Sequence, residues 1–318
     1  MPSDAALDVE RLVGEVRRGD PRALARAITL VESESDAGRR LIGRLYADRR
    51  RARVVGITGP PGAGKSTLVD GLVRHARSLG HAVGVLAVDP TSVFTGGAIL
   101  GDRIRMAAHT GDDGVFIRSM ATRGELGGLS RATDDAAAVL AAAGKDVVFI
   151  ETVGVGQDEV DIAGIADLSL LVLVPGAGDD VQAIKAGIME IADIFIVNKA
   201  DREGADRLVQ SIEMNLSLQT FGERDWRPPV VKTVATAGEG IAPVWDAVVA
   251  FAAHVGAASA RRRRGTESRL RRTLQAALMR RVAATLPGGT FDAAIDRVAA
   301  GETDPYSAAE ALLLQVLG

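Results

Sequence analysis

The chain contains no cysteine among its 318 residues. Disulfide bonds, thiolate metal sites and cysteine nucleophiles are therefore excluded, and the absence is compatible with a cytoplasmic location. Histidine is also scarce, because the sequence has only four and they are scattered along it. A protein that binds transition metals for delivery is expected to contain segments rich in cysteine or histidine. Neither kind of segment is present in this sequence.

Long apolar runs and an excess of one charge are also lacking. The longer apolar runs, residues 136–143 and 168–175, are too short to span a bilayer. Acidic and basic residues are mixed and leave a formal net charge of −3, so no overall field attracts nucleic acid or an anionic membrane. The N-terminus is acidic and lacks the pattern of a signal peptide. We expect a soluble cytoplasmic protein with no nucleic-acid or membrane partner.

Two arginine runs stand out from this mixed background. Arg49–Arg51 follows a helical pattern, and Arg261–Arg264 precedes Gly265. Each run could be a nucleic-acid patch, but no aromatic residues are interleaved with the arginines. We interpret the first run as a solvated helix end and the second as a solvated linker that breaks the preceding helix.

A glycine-rich segment follows a buried, β-branched run at Val54–Thr58. It fits the pattern G-x-x-x-x-G-K-[ST], in which backbone N–H groups and the N-terminus of the next helix surround a phosphate. We predict that Lys65 reaches the β- and γ-phosphates and that Ser66 binds Mg²⁺. The predicted nucleotide-binding residues of this segment are Gly59, Pro60, Pro61, Gly62, Ala63, Gly64, Lys65, Ser66 and Thr67.

Hydrophobic periodicity divides the chain into three parts. Residues 1–52 show helical patterns, the second starting at Asp20 and Pro21, and this extension is expected to pack on the domain or on a partner. Residues 53–257 alternate strands with helices, which predicts an α/β fold with a mostly parallel P-loop NTPase sheet. Residues 258–318 form a helical extension. The predicted strands are Val54–Thr58, Ala82–Val88, Val115–Arg118, Val147–Ile150, Leu168–Val174, Ile194–Val197 and Val230–Val234.

Carboxylates follow two of these predicted strands, where ligands of parallel sheets bind. Asp89 ends the second strand, and Asp102 lies in the glycine-rich segment after it. Both are candidates for the Mg²⁺ shell, although each could instead cap a turn or a helix. Glu151 ends the fourth strand, so we expect it to hold the metal, directly or through water, or to act in hydrolysis. The Gly154 N–H can approach the γ-phosphate, and Gln157 either positions the attacking water or caps a helix.

The sequence Asn198-Lys199-Ala200-Asp201 follows the sixth predicted strand. A carboxylate at Asp201 can accept hydrogen bonds from guanine N1–H and N2–H₂, whereas adenine offers neither donor. This pattern predicts selection of GTP, with Lys199 along the purine plane and Asn198 joining the base loop to the phosphate loop. After the seventh strand, Thr236 and Ala237 are expected to adjoin the base, with the Ala237 N–H near guanine O6.

These motifs resemble those of the MeaB/ArgK type of P-loop GTPase, the group that includes the human MMAA protein, and the resemblance covers nearly the whole chain. It implies GTP and GDP as ligands, Mg²⁺ as the metal, and a homodimer built partly by helical extensions. It also implies a chaperone that gates cofactor loading and protects or reactivates an adenosylcobalamin-dependent mutase of the methylmalonyl-CoA mutase type. A glutamate at position 151 is similar to that family's pattern, whereas Thr236 stands where many relatives have serine.

A segment after the fifth predicted strand contains two glycines and a proline. In the family that the chain resembles, this segment is an additional switch that touches the mutase. The resemblance therefore implies partner-contacting roles for Asp179, Asp180, Gln182 and Lys185. The alternative is a plain connection in which Asp179 or Asp180 caps the next helix.

Two other classes remain open at this point. A metallochaperone GTPase of the nickel-loading kind has a related fold, but the scattered histidines and the lack of cysteine disfavour it. A P-loop kinase that phosphorylates a transport-related binding protein would depend on an acceptor protein and would not need Asp201.

Overall fold

Three helices precede the first strand of the computed structural model, as the sequence predicts. The helices are α1 (Asp4–Arg17), α2 (Pro21–Glu32) and α3 (Asp36–Leu45), and a short 3-10 helix at Tyr46–Arg51 contains the first arginine run. The Asp20 carboxylate accepts the Ala23 N–H at 2.7 Å and caps α2. The structure describes residues 4–33, 35–90, 109, 111–122, 128–152, 164–176, 188–222, 225–255 and 260–317.

All seven predicted strands are present, and every pairing between them is parallel. Their order across the sheet is β3-β2-β4-β1-β5-β6-β7, which places β1 between β4 and β5. The strands are β1 (Arg53–Thr58), β2 (Val83–Pro90), β3 (Val115–Thr122), β4 (Val147–Thr152), β5 (Leu168–Leu173), β6 (Ile194–Asn198) and β7 (Val230–Thr233).

Helices cover both faces of the sheet, which explains the nearly continuous apolar strands. Val54 of β1 packs in a cluster with the N-terminal helices, so the N-terminal extension lies on the domain. Val55, the next residue of β1, and Ile57 pack in a second cluster on the opposite face. The α-helices that the structure describes in this domain are α4 (Lys65–Ser78), α5 (Gly128–Ala142), α6 (Ala205–Ser217) and α7 (Ile241–Val255), and a 3-10 helix spans Ile188–Ile191.

The C-terminal part is helical, but the predicted linker is wrong. Arg261–Arg264 and Gly265 lie inside one helix, α8 (Ala260–Thr285). Arginine is a good helix former and a single glycine is tolerated within a helix, so the run does not end the helix. Two further helices follow, α9 (Thr290–Ala299) and α10 (Pro305–Leu317). Residues 1–262 and 263–318 form two compact units.

Within the ranges that the structure describes, every helix is too short or too polar to cross a membrane.

Candidate functional site

The carboxyl ends of β1, β4 and β6 meet at one edge of the sheet and bring the sequence-predicted residues together. Ile57 lies opposite Glu151 where β1 pairs with β4, so Glu151 stands beside the start of the glycine-rich loop. On the other side, Asn198 lies opposite Thr233 where β6 pairs with β7. Such edges are where open α/β sheets bind their ligands.

Two glycines of the loop are required by close contacts with the neighbouring strands. Gly59 has a φ of 141°, and a Cβ there would collide with the carbonyl oxygen of Val172 in β5. Gly64 has a φ of 88°, and a Cβ there would collide with the Asn198 side-chain amide. Larger residues would displace the loop from β5 or from the base loop.

The first turn of α4 carries the two polar side chains of the phosphate loop. Lys65 is buried, and its ammonium donates hydrogen bonds to the carbonyl oxygens of Gly59 at 2.6 Å and Pro60 at 3.0 Å. Ser66 is also buried, and its hydroxyl donates to Glu151 Oε1 at 2.6 Å. The helix N-terminus adds its positive dipole end to the same place.

The donor set at Ser66 and Glu151 fits a hard divalent cation. Both groups offer oxygen, and two neighbouring ligands of an octahedral Mg²⁺ at ~2.1 Å lie about 3 Å apart. The two side-chain oxygens are 2.6 Å apart, so a movement of a few tenths of an ångström would let them share such an ion. Asp89 is the penultimate residue of β2, and its side chain lies outside what the structure describes.

Asn198 connects the predicted base loop to the phosphate loop. Its side-chain N–H donates to the Ala63 carbonyl oxygen at 2.8 Å. Its Oδ1 accepts hydrogen bonds from the Thr233 hydroxyl at 3.0 Å and from the Ala235 N–H at 3.2 Å. Because this amide is buried with partners on both sides, its orientation is fixed.

Lys199 makes a second connection between the two loops. It adopts a left-handed conformation with φ of 56°, and its ammonium donates to the Gly62 carbonyl oxygen at 2.7 Å. Its side chain therefore spans the gap between the base loop and the phosphate loop. Asp201 follows in the next turn with an exposed side chain.

Thr233 and Ala235 are contacts of the site that the sequence patterns missed. Thr236 and Ala237, which are predicted to adjoin the base, are exposed in the turn after β7. The Ala237 N–H donates to the Val234 carbonyl oxygen at 2.9 Å, so contact with a base would require this bond to open. The signal that could have identified Thr233 is its position at the end of β7, beside the end of β6.

Seven predicted residues lie outside the described residues, so the structure gives no geometry for them. They are Asp102, Gly154, Gln157, Asp179, Asp180, Gln182 and Lys185.

Comparison with known proteins identifies the family of the chain. A family model described as methylmalonyl Co-A mutase-associated GTPase MeaB matches residues 24–286. A candidate GTPase of Pyrococcus abyssi is 51% identical over 315 residues, which cover 98% of this chain and 97% of the relative. The mitochondrial methylmalonic aciduria type A homologue of Mus musculus is 38% identical over 260 residues, which cover 76% of this chain and 63% of the relative.

A solved structure agrees with the fold. The crystal structure of a LAO/AO transport system kinase covers 100% of both chains with a TM-score of 0.69 and 24% sequence identity. At this identity the similarity establishes the architecture alone. The family model, by contrast, spans most of this sequence, including the phosphate loop, Glu151 and the base loop. The chain belongs to the MeaB family of methylmalonyl-CoA mutase-associated GTPases.

Proposed function

We propose that this GTPase is a Mg²⁺-dependent chaperone for an adenosylcobalamin-dependent acyl-CoA mutase of the methylmalonyl-CoA mutase type. In this role, GTP hydrolysis gates the loading of the mutase cofactor and protects or reactivates the mutase. The family description and the mouse relative support the choice of partner. The observation that carries the chemical part is the buried contact between Ser66 and Glu151 at 2.6 Å.

The phosphate end of the nucleotide is assigned to the loop from Gly59 to Thr67. Lys65 would exchange its hydrogen bonds to the loop carbonyl oxygens for bonds to the β- and γ-phosphates. Backbone N–H groups at the start of α4 would bind the same phosphates. The buried position of Lys65 supports this assignment, since a desolvated ammonium binds a phosphate more strongly than one in water.

The metal is assigned to the Ser66 hydroxyl and the Glu151 carboxylate, with Asp89 and Asp102 as further candidates. Glu151 would bind Mg²⁺ directly or through a water molecule. When bound, Mg²⁺ neutralises charge that develops on the phosphate oxygens during transfer. Gly154 and Gln157 remain the candidates for contact with the γ-phosphate and for positioning of the attacking water.

The base is assigned to Asn198, Lys199 and Asp201, with Thr236 and Ala237 nearby. Asp201 would select guanine, and Lys199 would lie along the purine plane. The bond from Asn198 to the Ala63 carbonyl oxygen supports this assignment, because it fixes the base loop relative to the phosphate loop.

Exchange of Glu151 for glutamine tests the role of this carboxylate. The amide keeps the size of the side chain but removes its charge, so the variant should bind GTP while Mg²⁺-dependent hydrolysis falls. Isothermal calorimetry and single-turnover hydrolysis measure the two properties separately. Lys65→Ala should lose nucleotide binding and serves as the comparison. An unchanged hydrolysis rate in Glu151→Gln would remove Glu151 from the mechanism.

Communication with the mutase is assigned to the segment that contains Asp179, Asp180, Gln182 and Lys185. Two nucleotide-dependent conformations of this segment would have to differ in affinity for the mutase, because a ligand shifts an equilibrium only through differential binding. Altering Asp180 or Lys185 should then reduce stimulation by the mutase while basal hydrolysis stays nearly intact. If the basal and the mutase-stimulated rates of GTP hydrolysis fell in equal proportion, the segment would be a plain structural connection.

A further inference from the structure

Two buried threonines join the ends of adjacent strands beneath the proposed site. Thr58 is the last residue of β1 and is 0% exposed, and Thr152 is the last residue of β4 and is 3% exposed. The Thr152 hydroxyl donates to Thr58 Oγ1 at 3.1 Å, and the Ile57 carbonyl oxygen of the same strand lies at 3.5 Å from it. Residues 54–57 of β1 are apolar, and valine would fill the space of either threonine without needing a hydrogen-bond partner. The hydroxyls therefore contribute a specific connection between the strands.

This connection joins the two halves of the site. Thr58 directly precedes Gly59, whose carbonyl oxygen accepts the Lys65 ammonium at 2.6 Å. Thr152 directly follows Glu151, whose carboxylate accepts the Ser66 hydroxyl at 2.6 Å. The bond between the threonines thus links the strand end that begins the phosphate loop to the strand end that carries the carboxylate.

The start of the phosphate loop is also held from the opposite side. β5 lies beside β1 on the side away from β4, and its Val172 carbonyl oxygen leaves no room for a Cβ on Gly59. The backbone at the end of β1 is therefore confined between β5 and the Thr152 hydroxyl. Movement of β4 relative to β1 would change the position of Glu151.

We propose that Thr58 and Thr152 are a positioning pair that keeps the Glu151 carboxylate at the Ser66 hydroxyl and so supports GTP hydrolysis. Successive side chains of a strand point to opposite faces, so Thr152 acts through the Glu151 backbone and does not touch the nucleotide. This inference rests on the proposed role of Glu151. It predicts an effect on the rate of hydrolysis and none on nucleotide affinity.

The test compares Thr152→Val with Thr152→Ser in the full-length protein. Valine removes the hydroxyl at nearly constant volume, whereas serine keeps it. Small misplacements of catalytic groups reduce rates strongly, so kcat for GTP should fall about 10- to 100-fold in Thr152→Val and recover most of that loss in Thr152→Ser. Affinity for a fluorescent GDP analogue should stay within about twofold. Thr58→Val removes the bond between the threonines but leaves the Ile57 carbonyl oxygen near the Thr152 hydroxyl, so its kcat should fall no further than that of Thr152→Val.

Thr133→Val is the matched control. Thr133 lies in α5 and is buried, and within the described residues its hydroxyl has no hydrogen-bond partner. Its exchange for valine makes the same change of buried side chain without removing a hydrogen bond. Unchanged kcat in Thr133→Val, with a reduced kcat in Thr152→Val, supports the proposal. An equal fall in both variants would contradict it.

A double variant separates this inference from the proposed role of Glu151. If Thr152 acts through Glu151, adding Thr152→Val to Glu151→Gln should cause no further loss of kcat. A full additional loss in the double variant would overturn the positioning role. Wild-type kcat in Thr152→Val, beside a reduced kcat in Glu151→Gln, would overturn the pair alone. Wild-type kcat in Glu151→Gln would overturn the role of Glu151 and the inference that rests on it.

Discussion

At the scale of single residues, we propose that the choice between guanine and adenine depends on Asp201. Its carboxylate is exposed, and the preceding Asn198 and Lys199 are both bonded to the phosphate loop. These two bonds therefore fix the position of the base loop relative to the phosphate loop. A carboxylate in such a loop discriminates by hydrogen bonds that only guanine can donate.

Asp201→Asn should weaken GTP binding and improve binding of xanthosine triphosphate. The asparagine amide replaces an acceptor with a donor, which opposes the guanine amino group and matches the xanthine carbonyl oxygen. Loss of charged hydrogen bonds of ~1.5–3 kcal/mol each predicts a loss of GTP affinity of at least about tenfold. Calorimetry with both nucleotides and with ATP measures the change. Equal binding of ATP and GTP by the wild-type protein would contradict the assignment.

The sequence allowed the candidate residues to be placed together because each lies at or just after the end of a buried strand in a recognisable pattern. Glu151, Asn198 and the phosphate loop meet at one edge, as expected for parallel strands. Thr233 and Ala235 were missed because their contacts with Asn198 depend on the pairing of β6 with β7. No local pattern of residue types specifies that pairing.

At the scale of elements, an ion pair joins α4 to the segment before β3. Two guanidinium N–H groups of Arg77 donate to the Asp112 carboxylate, each at 2.8 Å, and the Gly114 N–H donates to the same carboxylate at 2.8 Å. These hydrogen bonds, led by those from Arg77, hold the pKa of Asp112 below its ordinary value. The pair lies near the amino end of the sheet, away from the nucleotide site.

This pair predicts a pH dependence of stability. Because the folded-state pKa of Asp112 is lowered, its contribution to the free energy of unfolding is present above the ordinary carboxyl pKa of 3.8. The contribution is lost as the pH falls through the lower, folded-state value. Asp112→Asn should therefore reduce stability at pH 6 and make it less dependent on pH below about 4. Urea unfolding at several pH values tests this, with Asp206→Asn, which removes an exposed single-bond ion pair with Lys232, as the control.

An identical pH profile for Asp112→Asn and wild type would show that the pair contributes nothing measurable. Many exposed ion pairs contribute little to the free energy of unfolding. The experiment therefore tests whether the bidentate geometry of this pair makes its contribution measurable.

The elements were predicted more accurately in the sheet than at its margins. Residues 115–118 of β3 were predicted from their apolar side chains, but the strand continues to Thr122 because it pairs with β2 up to Pro90. The arginine run of α8 was interpreted as a linker because charge was given more weight than helix propensity. In both places the local sequence is compatible with two structures: a shorter or a longer strand for β3, and a linker or a helix for the arginine run.

At the scale of the whole molecule, the C-terminal unit exposes an apolar stripe. Leu270, Leu274 and Leu278 recur every four residues on α8 and are 68%, 57% and 54% exposed in the single chain. Leucines at this spacing share one helix face, and such a face is usually covered. We propose that a second copy of the chain covers this stripe, in agreement with the homodimer that the family resemblance implies.

Leu274→Glu should convert the dimer to a monomer, because it places a charge within the buried interface. Sedimentation velocity of wild type should give the mass of two chains, and the variant should give the mass of one. Leu218→Glu, at an exposed position at the end of α6, is the control and should remain dimeric. A monomeric wild-type protein over the micromolar range would contradict the proposal.

The proposed function requires coupling between two binding events, that of the nucleotide and that of the mutase. A chaperone whose nucleotide state gates cofactor loading must bind the mutase with an affinity that depends on that state. By linkage, the mutase must then alter the binding of the nucleotide in return. Basal hydrolysis is expected to be slow, because the sequence offers no arginine that can be assigned to the γ-phosphate.

The most direct test measures GTP turnover by the full-length protein with and without an adenosylcobalamin-dependent methylmalonyl-CoA mutase. We predict slow basal turnover that the mutase raises at least about tenfold, with inorganic phosphate as the product. Turnover by Glu151→Gln should show no stimulation by the mutase. A turnover rate that the mutase leaves unchanged, or transfer of the γ-phosphate to a protein acceptor, would contradict the proposed function.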